Sequence, residues 1–243
     1  LLDYSSKNPS YRIRIVLACR NATRASVARE ELTKEYPESL VDIVIVDLSS
    51  IDSVFKCCKE IKENLLTESK AVVQSIGNKT KDGLGETFAC NVFGHYVMVR
   101  QLEDLMSKSG DARIIWTSSS TSSKDYYNFS DYQCIERLVD LIDLTLNTRL
   151  NQRHIHSFTT HPGIVATNIV EETITAWNGS YSNFIVATLP IECLNKSLKY
   201  GSCVKPWGTV YYDENFIDGY NEEDATALLN QLDRLLENFS QKS

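Results

Sequence analysis

Short apolar runs alternate along the chain with longer segments in which apolar residues recur every three or four positions. The short runs are rich in β-branched residues, which is typical of strands buried on both faces of a parallel sheet. The longer segments are typical of amphipathic helices. The predicted strands cover residues 13–19, 41–48, 70–76, 113–117 and 157–160, and the predicted helices residues 22–35, 52–66, 82–106, 136–150 and 224–239. This alternation predicts an α/β fold with a doubly wound parallel sheet, in one domain over residues 1–243.

Composition and charge exclude several classes of protein. The 243 residues carry a formal net charge of −7, with 42% hydrophobic and 23% charged residues, which suits a globular chain of this length. The acidic balance and the lack of a Lys/Arg block argue against nucleic acid as a partner. No apolar stretch approaches the length of a membrane span, and the first residues show no signal peptide.

Glycine is scarce, and its distribution bears on cofactor binding. The chain has 10 glycines, and none of them precedes Gly77. A loop that cradles phosphates near the amino terminus needs glycines for positive φ angles and for close backbone approach. We therefore expect this chain to lack the first strand and the glycine-rich loop of a complete dinucleotide site.

Cysteine and histidine give no sign of a metal site. The seven cysteines contain no C-x-x-C pair and lie mostly in apolar runs, so we interpret them as reduced, buried thiols. His154, His156 and His161 have no acidic or cysteine partner at a ligand spacing. The sequence therefore predicts no bound metal.

Polar residues follow the predicted strands, at the edge where open parallel sheets bind their ligands. Arg20 follows the first strand, Asp47 ends the second, residues 117–120 (TSSS) follow the fourth, and residues 162–164 (PGI) follow the last. We therefore expect the ligand-binding and catalytic residues to lie at this edge of the sheet.

These strand ends, with Asn91-Val-Phe-Gly94 in a predicted long helix, resemble the short-chain dehydrogenase/reductase family. Four further runs resemble its sterol 3-keto reductase branch. They are residues 81–95 (KDGLGETFACNVFGH), 115–119 (IWTSS), 137–141 (RLVDL) and 198–202 (LKYGS). The resemblance covers residues 13–239 and implies a Rossmann-like fold.

The resemblance implies a set of residues for NADPH. The set consists of Arg20, Asp47, Pro162, Gly163, Ile164 and Thr167. Arg20 would contact the phosphate on the adenosine ribose, since a guanidinium forms charge-assisted bonds to phosphate. Asp47 would accept a hydrogen bond from the adenine amino group, and Thr167 would help to hold the nicotinamide carboxamide. Two plainer readings stay open, namely a solvated arginine and an acid that stabilises the next helix dipole.

The resemblance also implies catalytic residues, which are Ser119, Asn91 and Tyr132. In the family a serine polarises the substrate carbonyl, a tyrosine donates the proton, a lysine stabilises the tyrosinate, and an asparagine holds a water in the proton relay. Ser119 and Asn91 match by position. A polar turn and a buried helix-bend residue are the corresponding alternatives.

The tyrosine–lysine pair is the departure from the family pattern, because no Tyr-x-x-x-Lys spacing occurs in the chain. In one alignment Tyr132 is the proton donor, but Glu136 stands where the lysine belongs, and a carboxylate opposes tyrosinate formation. Arg137 lies about 100° away from Glu136 on an ideal helix. In the other alignment, which we prefer, the segment with the pair is absent between Cys134 and Glu136, and Tyr132 is a bystander.

Three functional hypotheses follow. In the first, a longer form of this chain reduces the 3-keto group of a sterol with NADPH. By resemblance it would act at the cytosolic face of the endoplasmic reticulum or a lipid droplet, in peripheral contact with membrane and with other sterol enzymes. Trp177 and Phe184 would be remnants of its apolar substrate segment, or else ordinary packing residues. In the second, the protein is an inactive reductase-like scaffold. In the third, it is an α/β module that binds an anion at Arg20.

Overall fold

The computed structural model describes residues 6–7, 13–64, 80–118, 142–143, 145–146, 149–162, 175–197, 203–204, 210–211 and 222–241. The chain forms two compact units, which are described separately. Unit 1 comprises Leu1–Ser109 with Phe239–Ser243, and unit 2 comprises Gly110–Asn238. The single domain over residues 1–243 stays a prediction.

Unit 1 begins with a strand–helix–strand–helix run. Its elements are β1 (Arg14–Cys19), α1 (Ala22–Glu35), β2 (Leu40–Ile45) and α2 (Ile51–Asn64). The strands pair in parallel, from Arg14 opposite Leu40 to Cys19 opposite Ile45, and α1 is the crossover that a parallel pair requires. An ion pair between Arg14 Nε and Asp42 Oδ2, 2.5 Å long, joins the two strands. Both predicted strands and both predicted helices are present, with bounds shifted by no more than a few residues.

The predicted helix over residues 82–106 is wrong in its start and in its regularity. The structure has a short α3 (Glu86–Phe88), a π-helical turn (Ala89–Phe93) and α4 (Gly94–Met106). Residues before Glu86 form a turn instead, with Gly83 at φ +80°. Asp82 is drawn out of the helix because its Oδ2 accepts a 2.8 Å hydrogen bond from the Ile51 amide at the start of α2.

Within the residues that the structure describes, unit 2 has a sheet of four strands in the order β3–β4–β5–β6. The strands are β3 (Ala112–Thr117), β4 (Ile155–Thr160), β5 (Cys203–Val204) and β6 (Val210–Tyr211). The first three run parallel and β6 is antiparallel. The helices described after β3 are α5, helical at residues 142–143, 145–146 and 149–150, then α6 (Ala176–Thr188), α7 (Ile191–Ser197) and α8 (Glu222–Ser240). The last two residues of α8 belong to unit 1.

Helices cover both faces of this sheet. Asp143 of α5 bonds to Ser157 and Thr159 of β4, which point to one face. Val186 of α6 packs on the opposite face in an apolar cluster with Phe158. Helices on both faces of parallel strands confirm the predicted α/β class. The predicted strand over residues 70–76 and the first part of the predicted helix over residues 136–150 lie outside the described residues.

No helix within the described parts of the chain is long and apolar enough to cross a membrane.

Candidate functional site

In unit 1, the residues that follow β1 and β2 lie around the π-helical turn. Cys90 of that turn is buried, and burial raises the pKa of its thiol. The carboxylates of Glu86 and Asp47 raise the pKa of Cys90 further, while the Arg20 guanidinium lowers it. Arg20, Asp47 and the turn that carries Asn91 therefore share one neighbourhood. This is the arrangement that the strand-end argument predicts.

Arg20 is exposed directly after β1. Within the described residues its guanidinium has neither a hydrogen bond nor an ion pair, so its donors face solvent. The next residue, Asn21, caps α1 by accepting a 2.9 Å hydrogen bond from the Arg24 amide. This geometry suits both a solvated arginine and a phosphate ligand, and the phosphate contact stays a prediction.

Asp47 is held in a local turn before α2. Its Oδ1 accepts hydrogen bonds from the Ser49 amide (3.0 Å) and the Ser49 hydroxyl (2.6 Å). Its own amide donates to Ser53 Oγ at 2.9 Å. The carboxylate thus orders the turn that precedes α2. Its interaction with the α2 dipole stays a prediction. Oδ2 accepts no hydrogen bond from the described residues and is available as an acceptor. The hydrogen bond from an adenine amino group stays a prediction.

Asn91 lies in the π-helical turn, a local widening that often occurs at functional sites. Its Oδ1 is buried and has no hydrogen-bond partner among the described residues. Leaving a buried carbonyl oxygen unsatisfied costs about 1–3 kcal/mol, so a bound ligand or water would be its natural partner. The resemblance identified Asn91 as a candidate, but the helical pattern did not reveal the π turn.

His95 is a neighbour that sequence reasoning missed. Burial lowers the pKa of its imidazole, and hydrogen bonds to the backbone carbonyls of Asn91 and Cys90 raise it. The imidazole therefore lies against the backbone of the turn that carries Asn91. The only signal in the sequence is its place directly after Gly94.

In unit 2, the structure describes part of the predicted site. Thr117 ends β3, Ser118 follows it, and Pro162 is half-buried two residues after the end of β4. Pro162 therefore follows its strand as predicted. The remaining predicted residues lie outside the described residues, namely Ser119, Tyr132, Gly163, Ile164 and Thr167.

A buried polar network beside the end of β3 was not predicted. The Asp143 carboxylate accepts hydrogen bonds from Ser157 Oγ and from Thr159 Oγ1, the latter at 2.8 Å. Trp116 Nε1 donates to Ser157 Oγ at 2.9 Å. Burial raises the pKa of Asp143 to about 6, and the two hydroxyl donors oppose that rise. The sequence signal was an acidic residue between the apolar Ile142 and Leu146.

The aromatic residues proposed as substrate-segment remnants lie on α6. Phe184 is half-buried and stacks on Tyr181 with ring centroids 6.4 Å apart. This contact within one helix fits ordinary packing. Trp177 belongs to the same helix.

The buried cysteines of α2 add no reactive thiol, and the described residues offer no set of metal ligands. Burial raises the pKa of Cys57 to about 11 and that of Cys58 to about 12, so both thiols are protonated at neutral pH and unsuited to nucleophilic attack. In the described part of the chain, no group of three His, Cys, Asp or Glu side chains could hold a metal ion.

Comparisons with known proteins find relatives of this chain among 3-keto-steroid reductases. The chain is 26% identical to the rat 3-keto-steroid reductase/17-beta-hydroxysteroid dehydrogenase 7, over 65% of this chain and 60% of that enzyme. It is 25% identical to the human protein of the same name, over 82% and 79%. It is 29% identical to the 3-keto-steroid reductase of Eremothecium gossypii, over 66% and 56%. The matches thus span less than two thirds of the rat and Eremothecium enzymes.

Solved structures agree on the fold. An NADPH-dependent reductase involved in bacilysin biosynthesis superposes with a TM-score of 0.67 at 13% identity, covering 87% of this chain and 92% of that one. The NADPH-bound carbonyl reductase from chicken fatty liver superposes with a TM-score of 0.59 at 16% identity, covering 82% and 88%. Residues 9–177, more than half of the chain, match the family described as short chain dehydrogenase. The protein therefore belongs to the short-chain dehydrogenase family.

Proposed function

We propose that this protein is an NADPH-dependent reductase of the 3-keto group of a sterol, active in a form of the chain that carries the family's tyrosine–lysine pair. The observation that carries the proposal is the grouping of Arg20, Asp47 and the Asn91 turn at the strand ends of unit 1. Its chemistry fits the adenosine end of a phosphorylated dinucleotide.

The cofactor assignment rests on the donors and acceptors that remain available. The exposed Arg20 guanidinium offers a planar donor set for a ribose phosphate, and Asp47 Oδ2 offers an acceptor for an amino group. The buried oxygen of Asn91, which has no partner among the described residues, supports a bound water at this residue. When bound, NADPH supplies a hydride to the carbonyl carbon. Pro162, Gly163, Ile164 and Thr167 would hold its nicotinamide end.

The substrate assignment rests on the relatives, two of which are mammalian 3-keto-steroid reductases and one a fungal 3-keto-steroid reductase. Ser119 would donate a hydrogen bond to the carbonyl oxygen, so that the negative charge developing there is stabilised. A tyrosine would then give the oxygen its proton, and Asn91 would hold the water through which that proton is replaced. Membrane contact, partner enzymes and an address at the endoplasmic reticulum belong to this same proposal.

A second candidate is favoured by one specific feature of the sequence. Glu136 stands four residues after Tyr132, where the family places lysine. A carboxylate there would disfavour tyrosinate and suppress proton donation. A protein with the family fold and this substitution would serve as a binding or scaffold subunit for sterol enzymes.

Cofactor binding by the purified 243-residue chain tests the proposal first. We expect Arg20→Ala to weaken NADPH binding about tenfold or more while leaving the weaker NADH binding nearly unchanged, because only NADPH carries the extra phosphate. Arg29→Ala removes another exposed arginine, on α1, and is the matched control. Equal losses for the two cofactors, or equal losses for the two variants, would contradict the role of Arg20.

Turnover of a 3-keto sterol tests the chemical step in any form of the protein that shows it. We expect Ser119→Ala to lower kcat about 10²-fold, as loss of an oxyanion donor typically does. A variant with unchanged kcat would remove Ser119 from the mechanism.

A further inference from the structure

Asn183 of α6 contacts the last residues of two neighbouring strands of unit 2. The Thr160 hydroxyl at the end of β4 forms a hydrogen bond with Asn183 Oδ1. Asn183 Nδ2 lies 3.5 Å from Thr117 Oγ1 at the end of β3. One side-chain amide therefore joins the two strand ends.

The bonding pattern does not depend on how the amide is oriented. An amide has both donors and an acceptor, and each threonine hydroxyl can donate or accept. In the opposite orientation Nδ2 would donate to Thr160, whose own proton would then go to the Trp116 carbonyl oxygen 3.2 Å away. Asn183 can thus serve both hydroxyls in either orientation.

A polar residue here is not what packing alone would select. Three residues further along α6, Val186 packs with Phe158, Leu194 and Val204 in an apolar cluster against the middle of the sheet. At the strand ends the helix instead presents Asn183 and the buried Ser182, whose hydroxyl donates to the His161 carbonyl oxygen at 3.4 Å. Desolvating a polar group is costly unless it is paired. The polar contacts of α6 lie at the strand ends, where Asn183 and Ser182 find partners.

The other end of α6 is fixed to the start of β3. Arg113 Nη1 donates to the carbonyl oxygens of Val186 (2.8 Å) and Leu189 (2.6 Å), near the carboxyl end of the helix. Its Nη2 pairs with Asp111 Oδ2 at 3.1 Å. A cation at this end also complements the helix dipole. Arg113 thus anchors the carboxyl end of α6 at the start of β3, and Asn183 anchors the helix at the ends of β3 and β4.

We propose that Asn183 is a positioning residue that couples the ends of β3 and β4. β3 leads through Ser118 to Ser119, and β4 leads through His161 to residues 162–167. These are the segments to which the proposed function, on which this inference rests, assigns the substrate carbonyl and the nicotinamide. Their relative placement matters because a misplacement of about 1 Å can cost 10²-fold in rate.

Two substitutions remove the coupling in different ways. Asn183→Leu keeps the branched shape of the side chain and removes both hydrogen bonds, and Thr117→Val removes one hydroxyl and keeps the β-branched shape. Thr188→Val is the matched control, since the Thr188 hydroxyl on the same helix donates to the Phe184 carbonyl of its own helix at 2.7 Å.

Amide hydrogen exchange measures the coupling and does not require an enzymatically active protein. The Ser118 amide donates to the Thr160 carbonyl at 2.8 Å, and the His161 amide donates to the Val204 carbonyl at 2.9 Å. We expect Asn183→Leu to speed exchange at both amides about five- to tenfold, with no change at Ile114 within β3. Thr117→Val in the Asn183→Leu background should add less than twofold, because both changes break the same link.

Cofactor binding and turnover then decide whether the coupling positions the site. We expect Asn183→Leu to weaken NADPH binding and lower kcat/KM about tenfold or more, with Thr188→Val unchanged. Exchange equal to that of the wild type overturns the proposal whatever the activity. Faster exchange with unchanged NADPH binding and kcat overturns the positioning role. A form of the protein that carries the tyrosine–lysine pair, yet binds no NADPH and reduces no sterol, refutes the proposed function and the positioning role together. The exchange data still show whether the strand ends are coupled.

Discussion

Gly94 lies directly against the main chain of Leu48, where α4 begins beside the end of β2. A Cβ atom at position 94 would stand 2.9 Å from the Leu48 carbonyl oxygen and 2.9 Å from the Ala89 carbonyl oxygen. Both atoms belong to the backbone, so neither can swing away. The contact fixes the Asn91 turn beside the segment that carries Asp47.

We predict that Gly94→Ala destabilises the protein by about 1–3 kcal/mol through this overpacking, although alanine is the better helix former by about 1 kcal/mol. Chemical denaturation measures the change in the free energy of unfolding. Gly85→Ala is the control, because a Cβ there meets no atom within 4 Å. A stabilised Gly94→Ala variant would show that the close approach is absent in solution.

The buried Asp143 makes stability depend on pH. Its pKa rises from 3.8 to about 6 on folding, chiefly through burial, so the folded state holds its proton where the unfolded state has lost it. Stability from this group is therefore full below pH 3.8 and declines as the pH rises through about 6. The shift corresponds to a loss on the order of 3 kcal/mol.

Asp143→Asn tests this dependence, because an amide can accept from one hydroxyl and donate to the other. We predict that, relative to this variant, the wild type loses free energy of unfolding between pH 4 and pH 6, measured by denaturant titration at each pH. Glu192→Gln removes an exposed carboxylate from α7 and serves as the control for charge. Parallel profiles for wild type and Asp143→Asn would mean that Asp143 does not titrate in this range.

The elements that the sequence predicted well are those whose signals are local. The β-branched run of β1 and the apolar spacing of α1, stopped before Pro37, predict bounds within one residue of those observed. The π-helical turn was missed because five widened residues barely change the apolar period. Asp82 was placed in a helix because its partner, the Ile51 amide, lies 31 residues away.

The residues of the candidate site likewise fall into those that local sequence signals indicate and those that only long-range contacts reveal. Arg20 and Asp47 could be proposed from the rule that ligands bind at the carboxyl ends of parallel strands, and Asn91 from a family motif. Asp143 could not, since its partners Ser157 and Thr159 lie 14 and 16 residues away and meet it only in the folded chain. Asn183 was missed for the same reason, because Thr117 is 66 residues distant.

A single substitution separates the two alignments of the tyrosine–lysine pair. Glu136→Lys creates the family spacing with Tyr132. If Tyr132 is the proton donor, we expect sterol reduction by the 243-residue chain to rise at least tenfold, because an ammonium one helical turn away stabilises the tyrosinate that the carboxylate opposed. Steady-state NADPH oxidation with a 3-keto sterol measures the rate.

Two variants make the outcome of that substitution specific. Glu136→Gln removes the opposing charge without adding an ammonium and should recover only part of any gain, and Tyr132→Phe combined with Glu136→Lys should abolish it. No gain with Glu136→Lys, in a chain that still binds NADPH, would make Tyr132 a bystander. It would then favour either the missing-segment alignment or the inactive scaffold. A longer natural form of the protein with sterol reductase activity would decide for the missing segment, because only that alignment places a second tyrosine and its lysine between Cys134 and Glu136.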